Sequence, residues 1–136
     1  MAEGMDLFAA FATDEAKENE GVEVPIGAGT KLKIARAGNA NFEKALQAEL
    51  DTHRMALDTL PEAERKALDA EIYKRVVAGT ILVGWSGVKY KGKELKYNVE
   101  NAIMLLGMKD FRGEVMRHAQ NMALYRAKAE AADEKN

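Results

Sequence analysis

The chain has 136 residues, 47% hydrophobic and 31% charged, a size and balance that fit one domain with its own core. It has no cysteine, which excludes disulfides and thiolate metal sites and points to a reducing compartment. The formal net charge is −2 with acids and bases interspersed, which disfavours a polyanion or an anionic membrane as the main partner.

Met1 to Phe8 carries acids where a signal peptide carries bases, and no apolar run approaches the roughly 20 residues that cross a bilayer. The expectation is a cytoplasmic protein, neither exported by that route nor membrane-spanning. Residues 1–20 are expected to form a flexible arm. In it the apolar cluster Leu7, Phe8 and Phe11 precedes a polar connector from Thr13 to Gly21. A single mainly helical domain is expected over 21–126. It opens with Val22-Glu-Val-Pro-Ile26 and Lys31-Leu-Lys-Ile-Ala-Arg36, where apolar and polar residues alternate around Gly27-Ala-Gly29 as on a half-buried β-hairpin. Pro25 cannot donate to a ladder, so the first strand belongs at an edge.

Gly38-Asn39 ends the strand, and Asn39 or Asn41 caps a helix with Phe42, Leu46, Leu50 and Leu57 near helical spacing. Thr59-Leu-Pro61-Glu62 has capping-box spacing and opens a second helix carrying Leu68, Ile72, Val76, Val77, Thr80 and Ile81. That helix runs into Gly84-Trp85-Ser86-Gly87-Val88, read as a packed Trp-Gly turn between two helical halves. A short turn or minimal hairpin follows around Gly92. Asn98 caps the helix Val99 to Leu106, which Gly107 closes, and Asp110 caps a last helix with Phe111, Val115, Ala119, Met122 and Tyr125 along one face. Residues 127–136 hold no large apolar side chain and are expected to fray or stay disordered. The fold class is therefore α+β, mainly α: an N-terminal β-hairpin followed by about four helices.

Little in the chain points to catalysis, and the expectation is a protein that is not an enzyme and uses no metal or cofactor. His53 and His118 sit in separate helices without a companion at ligand spacing. Ser86 lacks the G-x-S-x-G elbow, and Gly27-Ala-Gly29-Thr30-Lys31 has the wrong order for a phosphate loop. The acids lie among lysines on solvated helix faces. Lys89, Lys91, Lys93 and Lys96, interleaved with Tyr90 and Tyr97, make the best local case for nucleic acid, yet lysines guarding a strand edge explain them better. Nucleic acid is thus disfavoured as a partner. The candidate protein-binding residues are Trp85, Met104, Met108, Met116, Met122 and Tyr125. Tryptophan anchors interfaces and methionine makes adaptable apolar surface, although both also serve as core.

Three stretches together carry a resemblance: Leu32-Lys-Ile-Ala-Arg36 with Gly38-Asn39-Ala-Asn-Phe42, then Val83-Gly-Trp-Ser-Gly-Val88, then Lys96-Tyr-Asn-Val-Glu-Asn-Ala102 with Leu105-Leu106. In order and spacing the chain resembles the tail assembly chaperones of long-tailed bacteriophages, from about Gly21 to Tyr125. It departs at Tyr90-Lys-Gly-Lys-Glu94, richer in lysine than the turn found there in that family. The resemblance implies a non-virion factor that coats the tape measure protein, keeps it soluble and helps recruit tail tube subunits in the cytoplasm of the infected host. The partners it implies are the tape measure protein and the tail tube protein, with self-association open and no membrane. It also implies a longer frameshifted product, and Glu134-Lys135-Asn136 is encodable as the slippery run GAA AAA AAC. Two other readings stand beside it: a structural virion component such as a head-tail connector or tail completion protein, and a phage accessory protein that binds nucleic acid through Lys89 to Lys96.

Overall fold

The computed structural model describes residues 3–127, so the tail expected over 127–136 lies outside them except for Ala127. The elements run α1 (Leu7–Phe11), α2 (Glu15–Glu20), β1 (Val22–Gly27), β2 (Thr30–Ile34), α3 (Ala40–Thr52), α4 (Arg54–Thr59), α5 (Glu62–Thr80), β3 (Leu82–Ser86), β4 (Lys89–Tyr90), β5 (Lys93–Glu94), α6 (Val99–Leu106) and α7 (Lys109–Ala119). A 3-10 turn, Met122–Tyr125, completes the described order. The class is α+β with helix predominating, and the hairpin β1–β2 lies near the N-terminus ahead of the main helices.

Alternation on β2 turns Leu32 and Ile34 inward and leaves Lys31 and Lys33 outside. β2 is the central strand of a three-stranded antiparallel sheet in the order β1-β2-β3. β1 is an edge, as Pro25 requires. The inner face is covered by the end of α5 and by α6 and α7, giving a core of Val24, Leu32, Ile34, Val77, Ile81, Leu82, Ala102, Leu106, Val115 and Ala119. The outer strand, β3, contains the Trp-Gly segment. That segment does join the two helical halves, and it does so as a strand, pairing Leu32 with Trp85 and Lys33 with Gly84. The turn comes after it, at Gly87 (φ +69°).

Local signals explain where several elements start and stop. Asn39 caps α3 by accepting from the Phe42 amide at 2.9 Å, and Asn98 caps α6 by accepting from the Asn101 amide at 2.7 Å. The expected capping box at Thr59 does not form. Thr59 ends α4, with its hydroxyl donating to the Met55 carbonyl at 2.8 Å, and Pro61 takes the N-cap position of α5. Asp110 lies in the first turn of α7 instead of capping it, where it still complements the helix dipole. The second helix also ends earlier than its apolar pattern indicates. Ala78 (ψ 122°) and Gly79 (φ +90°) break it, leaving Ile81 buried in a link whose carbonyl accepts from the Ala35 amide at 2.8 Å.

Two segments stand apart from the core. α3, α4 and the first half of α5 fold back on one another with Leu46, Leu50, Leu57 and Leu68 half-buried, while Phe42 at the start of α3 still packs against the core. Within α3 and α4 no residue is fully buried. The segment expected as a flexible arm divides in two. Residues 12–20 are tied down: the Asp14 amide donates to the Tyr125 carbonyl at 2.9 Å, the Arg36 amide donates to the Glu18 carbonyl at 2.9 Å, and Arg36 Nη1 reaches Glu18 Oε2 at 2.8 Å. Asp14 accepts from the Ala16 and Lys17 amides, so the polar connector becomes the capped helix α2. α1 has no buried residue.

Candidate functional site

The candidate residues separate into two environments. Trp85 is half-buried on β3, where its Nε1–H donates to the Leu95 carbonyl at 2.8 Å. Its ring meets Tyr97 nearly edge-on, with centroids 4.9 Å apart at 80°. The Tyr97 hydroxyl in turn donates to the Leu82 carbonyl at 2.7 Å, and burial raises its pKa above the ordinary tyrosine value. These bonds fasten the stretch before α6 to β3. Of the two flanking glycines, Gly87 answers to backbone approach. A Cβ on Gly87 would stand 2.3 Å from the Gly29 carbonyl oxygen, and Thr30 Oγ1 donates to the Gly87 carbonyl at 2.7 Å. Gly84 packs against the Lys33 side chain.

The second environment is the surface of the last helices. Met104 on α6 and Met108 at the start of α7 are 42% and 51% exposed and lie either side of Gly107, where the chain turns from one helix to the next. Val99 on α6 adds exposed apolar surface. Met122, 51% exposed, sits beyond the far end of α7. Met116 instead packs against the core. Tyr125, expected on the same face, is fully buried, and its hydroxyl donates to the Ile34 carbonyl at 3.0 Å. The physical reason is the break after Ala119, which ends α7 and lets the following 3-10 turn point Tyr125 inward. Burial pushes the Tyr125 phenol up to about 12. Tyr125 therefore belongs to the core and leaves the contact surface.

Each histidine is bound to a glutamate one turn earlier on the same stretch of helix. His53 Nε2 lies 3.3 Å from Glu49, which also faces Arg75 at 3.7 Å. His118 Nε2 lies 3.1 Å from Glu114, whose pKa is lowered chiefly by its hydrogen bonds from Arg117. Among the described residues no group of three or more histidine, aspartate or glutamate side chains could hold a metal ion, and no helix is long and apolar enough to cross a membrane. Two exposed apolar features were less legible in sequence. Met55, 80% exposed, reads as part of an apolar helical face but stands out at α4. Phe8, 83% exposed, stands out on α1. Helical spacing alone does not distinguish an apolar stripe that finds a partner helix from one that does not.

The fold and these surfaces define a small α+β protein that presents apolar patches on a helical exterior. The chain belongs to the YdaY prophage protein family, whose model matches residues 37–136, from the residue that follows Arg36 through all the later helices. It is thus a phage-derived protein. No curated protein and no solved structure matches it.

Proposed function

We propose that this prophage protein is a tail assembly chaperone, which binds the tape measure protein and helps recruit tail tube subunits in the host cytoplasm. It works by binding, without catalysis or cofactor, and is left out of the mature virion. The observation that carries the reading is the exposed methionine pair Met104 and Met108 at the α6–α7 turn, with Met122 exposed beyond the other end of α7. Unbranched thioether side chains repack readily against varied apolar helices, as a carrier of a long helical client requires. Membership of a prophage family and the resemblance of the Ala35-Arg36, Trp85 and Glu100-Asn101-Ala102 stretches support the same reading.

The test is co-expression with the tape measure protein of the same prophage, with mass spectrometry of purified particles. The reading expects a tape measure protein that becomes soluble in the presence of this chain, and particles that lack the chain. An insoluble tape measure protein removes the reading. Particles that hold this chain in fixed copy number replace it with a head-tail connector or tail completion protein.

A further inference from the structure

We infer that the chain associates head to tail with a second copy, the α1 arm of one copy seating on the lysine-rich end of the next copy's sheet. The inference does not depend on the chaperone reading.

The donor is the arm. Leu7, Phe8 and Phe11 are 64%, 83% and 53% exposed on a single capped turn of helix, and Met5, 67% exposed, precedes its cap Asp6 beside Glu3. Among the described residues, the one ring contact these four side chains make is that of Phe11, whose ring centre lies 4.6 Å from the Arg126 guanidinium. The arm's own acids are Glu3 and Asp6, and α2 at its root adds Asp14, Glu15 and Glu20, with Glu18 paired to Arg36 and Lys17 of opposite charge.

The acceptor carries the opposite charge. Lys31, Lys89, Lys91 and Lys93 are exposed at the end of the sheet where the Ala28-Gly29 turn meets Gly87, and the exposed apolar side chains Ile26 and Tyr90 lie at that end. None of the four lysines forms an ion pair among the described residues, and Lys91 rests over the Tyr90 ring at 5.3 Å. An acidic apolar arm and a basic end with apolar spots are complementary in both respects.

Geometry selects a second copy. The root of the arm is fixed at the Val22–Ile34 end of the sheet, where Asp14 bonds to Tyr125 and Tyr125 to Ile34. The lysines gather at the opposite end, across the six residues of β1, roughly 17 Å at the usual strand rise. The root of the arm therefore stands a strand length from its own acceptor, whereas a second copy brings its acceptor directly to the arm. Complementary surfaces at opposite ends of one chain make a heterologous contact, which extends to chains or closes to rings.

Sedimentation velocity of the full chain tests this. The wild type is expected to gain mass with concentration, and raising salt from about 0.05 to 0.5 M weakens the association about tenfold. Phe8→Ser alone and the triple Lys31→Glu, Lys91→Glu, Lys93→Glu alone are each expected to remain monomeric. Mixed one to one they form a dimer that grows no further, because only one intact arm and one intact acceptor remain to meet. Both variants must melt as cooperatively as the wild type. If the triple does not, the same three positions are changed to glutamine. A wild type monomeric at every concentration overturns the inference, as does either variant associating like the wild type or a mixture that stays monomeric. Association that persists in the mixture beyond the dimer also overturns it.

Discussion

At Asn39, one side chain joins three elements. Its carbonyl caps α3, while Nδ2 donates to the Arg36 carbonyl at 2.7 Å and to the Thr80 carbonyl at 2.8 Å, all at 6% exposure. Asn39→Ala is expected to cost about 2–4 kcal/mol, a lost cap plus carbonyls left short of a donor. Asn39→Asp keeps the cap but cannot donate, so chemical denaturation should find it nearly as damaging. Tyr125 gives a second test at this scale. Its folded pKa, about 12, stands above the value of 10 for an unfolded tyrosine. The folded state thus holds the phenol proton more tightly, and its contribution is complete below pH 10 and lost as pH rises through 12. Unfolding free energies between pH 9 and 11.5 should fall by an amount that Tyr125→Phe reduces. Equal slopes in both proteins would exclude the phenol as the cause. Cap residues such as Asn39 and Asn98 were legible in sequence because a cap is a local pairing of side chain and backbone. The inward turn of Tyr125 was not, because it depends on where α7 stops.

At the scale of elements, the two hairpins share a design that the glycines disclose. Ala28-Gly29 and Lys91-Gly92 are two-residue loops with positive φ at both positions, 54° and 78° in the first and 51° and 83° in the second. That is the geometry of a type I′ turn, which asparagine tolerates better than alanine or lysine. Ala28→Asn is therefore expected to stabilise the fold by about 0.5–1 kcal/mol, seen as a raised Tm. Gly87→Ala should do the reverse and more, at a cost above about 2 kcal/mol, since φ is +69° and the new methyl would meet the Gly29 carbonyl. A Gly87→Ala protein that melts with the wild type would sink the close-approach account. The β1–β2 hairpin was visible as alternation around a glycine-rich turn. β3 was not: Leu82-Val-Gly-Trp-Ser86 is short, holds a glycine and follows a helix whose β-branched end blurs the boundary. The pairing that makes it a strand comes from β2, fifty residues earlier.

For the whole molecule, the small net charge conceals a division of labour. Acids concentrate in residues 3–21, lysines at the turn end of the sheet, and exposed methionines on the last helices. Composition averages these together, and only the fold assigns them to separate surfaces. The methionine surface should then be removable without loss of the fold. Met104 and Met108 are each about half exposed and neither belongs to the core. Replacing both with serine is expected to change stability by less than about 1 kcal/mol, because neither side chain is buried and Met108 holds the N-cap position of α7, where serine is well suited. On the proposed function, the same pair of changes should lower the amount of soluble tape measure protein recovered on co-expression by several-fold, because that reading makes the thioethers the adaptable part of the contact. Changing Met116 instead should lower stability and leave a folded remainder that still binds, since that side chain faces inward. A Met104→Ser, Met108→Ser protein that is stable and fully active in co-expression would move the client contact elsewhere, to the exposed Met55 end of the α3–α5 helices.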